Sequence, residues 1–496
     1  MSRVSRTPDS AIIVGMRKAK IDRRGFLRAS AIGGAAASVA SAEPPQVSGA
    51  PARDVTRRLA AWAVSSRKED VPAAIRREAL RTVLNWTGCT VGGSRHETVE
   101  IAIRALKPFS GPPQASVLGR KDRLDVLHAS LMNGISSHIF DFDDTDLRTI
   151  VHPAGPVAPA LLALAEYRPF SGADFLHALI VGVEVECRIA NAVYPRHYDV
   201  GWHITGTVGP FGAAAAAGKV LGLSEQQMVW ALGLAATQPV GLREMFGTMT
   251  KSFHPGRASQ NGLVAALLAG QNFTSSDQPI EAARGWANVL STARNYQEIT
   301  EKLGDRYQIA FNSYKPFPCG VVIHPAIDGS LQLRAENRLT ADRIDRIELR
   351  VHPLVLELTG KKAPRTGLES KFSVYHAVAA AMVYGRVGEP EFSDRAARDP
   401  AVQALSERVS TTVDPTIAED QVRIAIVLKD GRRLEKFIEH AIGSARNPMT
   451  DAQLEAKFRG LAEGVLPGEG AGRLIDFCWN LEKAADAGQL ARLAAA

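Results

Sequence analysis

The chain has 496 residues, 45% hydrophobic and 22% charged, which suits two globular domains with cores of their own. Its net charge of +7 invites a nucleic-acid reading, but residues 1–42 carry eight Lys/Arg against two Asp. The remainder is nearly neutral and has no basic stripe to track phosphates, so nucleic acid is excluded as a partner.

Residues 1–42 read as a twin-arginine-type export signal. Arg23-Arg24-Gly25-Phe26-Leu27-Arg28 carries the pattern, with Asp22 where Ser or Thr is usual. A mildly apolar run, Ala29 to Val39, and an Ala40-Ser41-Ala42 cleavage site follow. Met16 is the better start, and export by this route places the folded protein in the periplasm; without a working leader it stays cytoplasmic. No later segment reaches the length of apolar chain that spans a bilayer, so no stable membrane insertion is expected. Residues 43–55, rich in Pro, Ala and Ser, form a linker.

Residues 56–311 are patterned as helices, Ala-rich and punctuated by Gly and Pro. Leu176, Leu179, Ile180 and Val183 lie at helical spacing between Asp174 and Val193, with Pro195 as the stop. Ser224-Glu225-Gln226-Gln227 is a capping box. Residues 312–449 change character. Ile347, Leu349 and Val351 alternate with polar residues, as do Val422, Ile424, Ile426 and Leu428. The second run meets Lys429-Asp430-Gly431, a hairpin signal leading into Leu434 to Ile438. Thr450 to Gln453 caps the helices of residues 450–496, which are expected to return to the first domain. The fold class is mainly α: a large all-α domain with a smaller α+β lid.

Within these apolar surroundings stand polar islands. They are Asp141-Phe142-Asp143-Asp144-Thr145 with His152-Pro153, then Gly201 to Thr207 around His203, Lys251 to Arg257, and Tyr314 to Cys319 around Lys315. Burying such groups is costly unless they are paired or used, so together they point to a pocket. The mixture of imidazoles and ammoniums fits binding of an anion and movement of its protons. Asp141, Asp143 and Asp144 are open to two other readings, a divalent-cation site and a helix N-terminal acidic cluster. Lys251 is placed on a turn bounded by Gly and Pro. Gly206, Gly209 and Gly212 are assigned to helix packing, since no strand precedes them as a phosphate loop requires. The four cysteines form no metal or disulfide pattern, and Cys319 is set near Lys315 at the pocket. Hydrolase, zincin and kinase signatures are missing from the sequence.

These islands, in this order, resemble the MmgE/PrpD family, from about residue 56 to the end. The resemblance implies a helical domain with an inserted lid, a homodimer, and a reaction without metal or organic cofactor. It implies a pocket of Asp141, Thr145, His152, His203, Lys251 and Lys315 around a small polycarboxylate. Asp141, His152, His203 and Lys251 are the catalytic candidates; Thr145, Lys315 and His376 are the substrate-binding ones. Two departures point away from cis-aconitate decarboxylation: His376, beside Tyr375, where such relatives carry a Tyr, and Gly320, with His324 four residues on, where they carry a His. The expected activity is dehydration of a di- or tricarboxylate through proton abstraction α to a carboxylate. The alternatives are an epimerase or isomerase, and an exported carboxylate-binding protein without turnover.

Overall fold

The computed structural model describes residues 54–495, so the twin-arginine leader and nearly all of the linker lie outside the described residues. Ten helices and one sheet position the site. The helices are α1 (Ala73–Gly93), α2 (Val126–His138), α3 (Ala154–Tyr167), α4 (Gly172–Val193), α5 (Ile204–Leu221), α6 (Glu225–Ala236), α7 (Thr250–Gly270), α8 (His324–Asn337), α9 (Val374–Tyr384) and α10 (Asp451–Ala462). The strands are β1 (Ile344–Val351), β2 (Val409–Val413), β3 (Val422–Leu428) and β4 (Arg433–Ile438). The fold is mainly α. No helix among the described residues is long and apolar enough to cross a membrane.

Local chemistry sets the helix ends. The side chain of Ser171 accepts the Asp174 amide at the start of α4, and both capping boxes form, at Ser224 for α6 and at Thr450 for α10. In the middle of the helical layer, α7 packs against α5 and α2, and α5 packs against α4. These contacts are close because glycines line them. A Cβ on Gly134 of α2 would lie 2.5 Å from the Cα of Gly256 in α7, so the two backbones touch. A Cβ on Gly209 would lie 2.5 Å from Cγ of Pro156, and one on Gly212 would lie 2.5 Å from Oε2 of Glu186. The Gly206, Gly209 and Gly212 series is therefore a packing face.

Two large cores follow. One joins the helical layer to the C-terminal segment through Leu454, Phe458, Leu474 and Leu490. The other lies under the sheet, from Phe317 to Ala441. Sheet order is β2-β1-β3-β4, with β1 and β2 parallel and the other pairs antiparallel. Gly431 turns the β3–β4 hairpin with φ 87°. A short antiparallel ribbon pairs Thr145 with Ser313 and Asp146 with Asn312. That ribbon brings the first polar island against the strand leading to Lys315.

Candidate active site

Asp141 follows the last turn of α2 with φ 51°, a left-handed backbone that Asp tolerates better than most side chains. The acidic cluster thus follows a helix C-terminus in sequence, yet it also reaches a helix N-terminus in space, since Asp144 Oδ2 accepts the amide of Ala154, the first residue of α3, at 3.2 Å. The buried carboxylate of Asp141 accepts from two ammoniums through one oxygen, Lys251 Nζ at 2.7 Å and Lys315 Nζ at 2.7 Å. Burial alone raises its pKa, but these two cations outweigh burial and hold the carboxyl well below the usual range. Lys315 also donates to the carbonyls of Asp141 (3.1 Å) and Cys319 (3.2 Å). Lys251 stands in the first turn of α7 rather than on a turn. Its Nζ lies 5.2 Å from the ring centroid of Phe246 and 5.1 Å from that of Phe372. Burial lowers its pKa against the pull of Asp141.

A second group of side chains surrounds this triad. His152 Nδ1 lies 2.9 Å from the Asp144 carbonyl and 3.4 Å from Asp143 Oδ1, both acceptors, so Nδ1 carries the proton. Burial, against the Asp143 charge, pushes the His152 pKa down to about 4. The neutral ring then has a bare Nε2. Asp143 also accepts from His138 Nδ1 at 2.8 Å. Burial would raise the Asp143 pKa, yet His138 and then His152 hold it well below the usual range. Asp144 differs: burial and the Asp143 charge push it up to about 7. His203 stands at the residue preceding α5, and its Nδ1 meets Nδ1 of His254 at 2.9 Å. Burial, then His254, keeps the His203 pKa well below its ordinary value. The His152 and His203 ring centroids are 6.3 Å apart.

Asp141, His152, His203, Lys251 and Lys315 line one cleft of about 30 Å³ between the helical layer and the segment from Gly320 to Phe372. Its other walls include Ile150, Tyr198, Phe246, Val322 and Phe372. Gly320 forms part of the lid-side wall, where a Cβ would lie 2.8 Å from Cγ2 of Thr359. Thr145 stands behind His152, its hydroxyl 3.3 Å from Nδ1, and does not line the cleft. His376 is not brought to the cleft. Ser373 caps α9 and accepts the His376 amide, which turns the ring away; its Nε2 then donates to the Glu391 carbonyl at 2.8 Å. Phe372, just before that cap, is the residue of this segment that faces the site. Cys319 is fully buried and off the cleft, contributing its carbonyl to Lys315.

Four residues were not singled out as site residues in the sequence. His138 lies inside the apolar helix α2, and Tyr198 sits on a short turn with no motif around it. His254 was visible only as part of the Lys251 segment. Lys457 of α10 sends Nζ to Asn85 Oδ1 (2.8 Å), the Phe142 carbonyl (2.6 Å) and the Lys315 carbonyl (2.9 Å). It ties the Asp141 loop to the Lys315 strand from behind, and burial lowers its pKa to about 8.

His138, His152 and His203 could each offer a nitrogen to one ion, their ligating atoms lying within 4.8 Å of one another. The surrounding charges fit a metal poorly. Asp143 already engages His138 and His152, and two ammoniums sit on Asp141, where they would repel a cation. The same charges fit an anion well.

The chain matches the MmgE/PrpD N-terminal domain over residues 57–299 and the MmgE/PrpD C-terminal domain over residues 317–483. Human cis-aconitate decarboxylase is 31% identical over 436 residues, covering 83% of this chain and 89% of that protein. The cis-aconitate decarboxylase of Aspergillus terreus is 25% identical, covering 88% and 95%. The 2-methylcitrate dehydratase of Escherichia coli is 23% identical, covering 73% and 81%.

Proposed function

Because the chain belongs to the MmgE/PrpD family, we propose that it is a cofactor-independent lyase that takes a proton from the carbon α to a carboxylate of a small di- or tricarboxylate and expels a β-substituent. The observation carrying this reading is the sharing of one Asp141 oxygen by Lys251 and Lys315, opposite two neutral imidazoles. Two ammoniums on one carboxylate leave positive charge to spare, and an incoming carboxylate takes it up.

The proton to be removed is weakly acidic, so the site must stabilise the enolate-like charge that develops. Lys251 and Lys315 meet that charge. His152 is the base, because its Nδ1 proton is held by acceptors and its Nε2 is free. A pKa near 4 makes it a weak base; substrate carboxylates close by raise it toward neutrality. His203 is the acid that assists the leaving group, with His254 at its back. If no group leaves and His203 returns the proton from its own side, the product is an epimer.

Loss of water follows from this proton removal; loss of CO2 leaves an electron pair on the substrate that an acid such as His203 must protonate, and the site offers both a base and an acid. The relatives include cis-aconitate decarboxylases and a 2-methylcitrate dehydratase. His376 lies off the cleft, so it no longer argues against decarboxylation, and only Gly320 does. Export through the twin-arginine leader and assembly as a homodimer complete the proposal. N-terminal sequencing of the mature protein and its mass in solution test those two parts.

The test of the chemistry is incubation in D2O with citrate, 2-methylcitrate and cis-aconitate, followed by NMR. Loss of water or CO2 names the reaction, and deuterium uptake without net loss moves the protein to the epimerases. Neither exchange nor product with any acid would overturn the enzymatic reading.

A further inference from the structure

The catalytic cleft is too small for its substrate. Its volume of about 30 Å³ is far below the range usual for small-molecule sites, and a tricarboxylate has a dozen or so heavy atoms. A cavity of about 690 Å³ lies on the far side of Ile150, Val321 and Val322, which line both spaces. That volume lies in the usual range for small-molecule sites.

The larger chamber is built for an anion on one side. Arg148 lines it, its guanidinium oriented by Asp146 and Gln308 (2.8 Å) and stacked 3.9 Å from the Phe311 ring centroid. Arg446 lines it and is exposed. His324 lines it at 3% exposure, and its Nε2 has no hydrogen-bond partner. Glu419 and Asp420 stand on the lining as well, Asp420 being engaged by His440 at 3.2 Å.

The shared wall is strained. Ile150 has φ 60°, a left-handed backbone that a β-branched side chain adopts at a cost. Such strain marks a residue held by its surroundings and able to relax when they move. Val321 and Val322 sit on a single 3-10 turn that begins directly after Gly320.

We propose that the chamber is the antechamber where the polycarboxylate first binds, and that Ile150 and Val322 form the gate through which it passes to Lys251 and Lys315. This rests on the carboxylate-lyase reading above. Arg148 and Arg446 draw the anion in; relaxation of Ile150 toward an extended backbone opens the wall.

The test uses tricarballylate, a saturated tricarboxylate without a leaving group, with association and dissociation rates taken from NMR line shapes on the full chain. A gate sets the rates in both directions and leaves the end state alone. Val322→Trp should slow association and dissociation together by roughly tenfold or more. Ile150→Gly, which removes the strain and the side chain, should speed both. Arg446→Glu, on the surface and remote from the catalytic groups, should slow association about threefold or more at low salt and lose the effect at high salt. Unaltered rates in Ile150→Gly and Arg446→Glu would overturn the antechamber even if Val322→Trp fails to fold. A weaker Kd from faster dissociation alone would also overturn it. Failure of the wild-type protein to bind any polycarboxylate would instead remove the reading on which it rests.

Discussion

His203 and His254 face each other through their Nδ1 atoms at 2.9 Å. Of two such nitrogens one must donate and the other accept, so a single proton holds the contact and couples the two tautomers. The His203 nitrogen facing the cleft is thus governed by a residue outside the cleft.

Replacing His254 with Phe therefore changes His203. Burial is the first cause of its low pKa and His254 is the second, so the substitution raises it. The limb of the kcat/KM–pH profile belonging to His203 should move to higher pH, with kcat lower by about tenfold. A profile of unchanged shape would show that His254 only fills space.

Asp141→Asn keeps the left-handed backbone, which Asn also accepts, and removes the charge between Lys251 and Lys315. Two buried ammoniums then face each other without their counterion. Activity should fall by roughly 10²–10³-fold and stability by about 3–5 kcal/mol. Urea unfolding and D2O exchange read the two effects separately; retention of both would refute the triad.

Acid should destabilise the fold through its histidines. His152 has a folded pKa of about 4 and an ordinary unfolded value of 6.5, so the unfolded chain binds more protons between those values. Its contribution is complete above pH 6.5 and is lost as pH falls toward 4, by up to about 3 kcal/mol. The Tm should drop between pH 7 and 5 more steeply for the wild-type protein than for His152→Gln. Equal slopes would mean that His152 is not held neutral.

Lys457→Met removes the donor shared by Asn85, Phe142 and Lys315. With no direct place in the cleft, Lys457 acts by positioning Lys315 against Asp141. Turnover should fall about tenfold and stability by about 2 kcal/mol or more, as buried acceptors are left unpaired. Unchanged kcat would remove that positioning role.

What the sequence disclosed followed from contrast. Acids, imidazoles and lysines stand out in Ala-rich surroundings, so Asp141, His152, His203, Lys251 and Lys315 were legible before any contact was known. The strands of the lid were legible for a related reason: Ile347 to Val351 alternate between a buried and a more open face, and Val422 to Leu428 form an apolar run buried on both faces apart from Arg423. His138 was hidden because an interior helix of a large α layer has no polar face to break, and its partner Asp143 comes five residues later, beyond the helix end. His376 misled because the Ser373 cap resets the helix phase, giving the cleft to Phe372. The Nδ1 pairing of His203 and His254 depends on the crossing of α5 and α7, and a spacing of 51 residues does not encode it.

Gly320 and Thr359 constrain each other in space. Any side chain at 320 strikes Thr359, so no single change can extend the lid-side wall into the cleft. Trimming Thr359 first gives up its hydroxyl bond to the Val355 carbonyl and brings no gain until 320 changes too. Each step alone passes through a poorer protein. A new activity on this wall therefore needs both positions to move together.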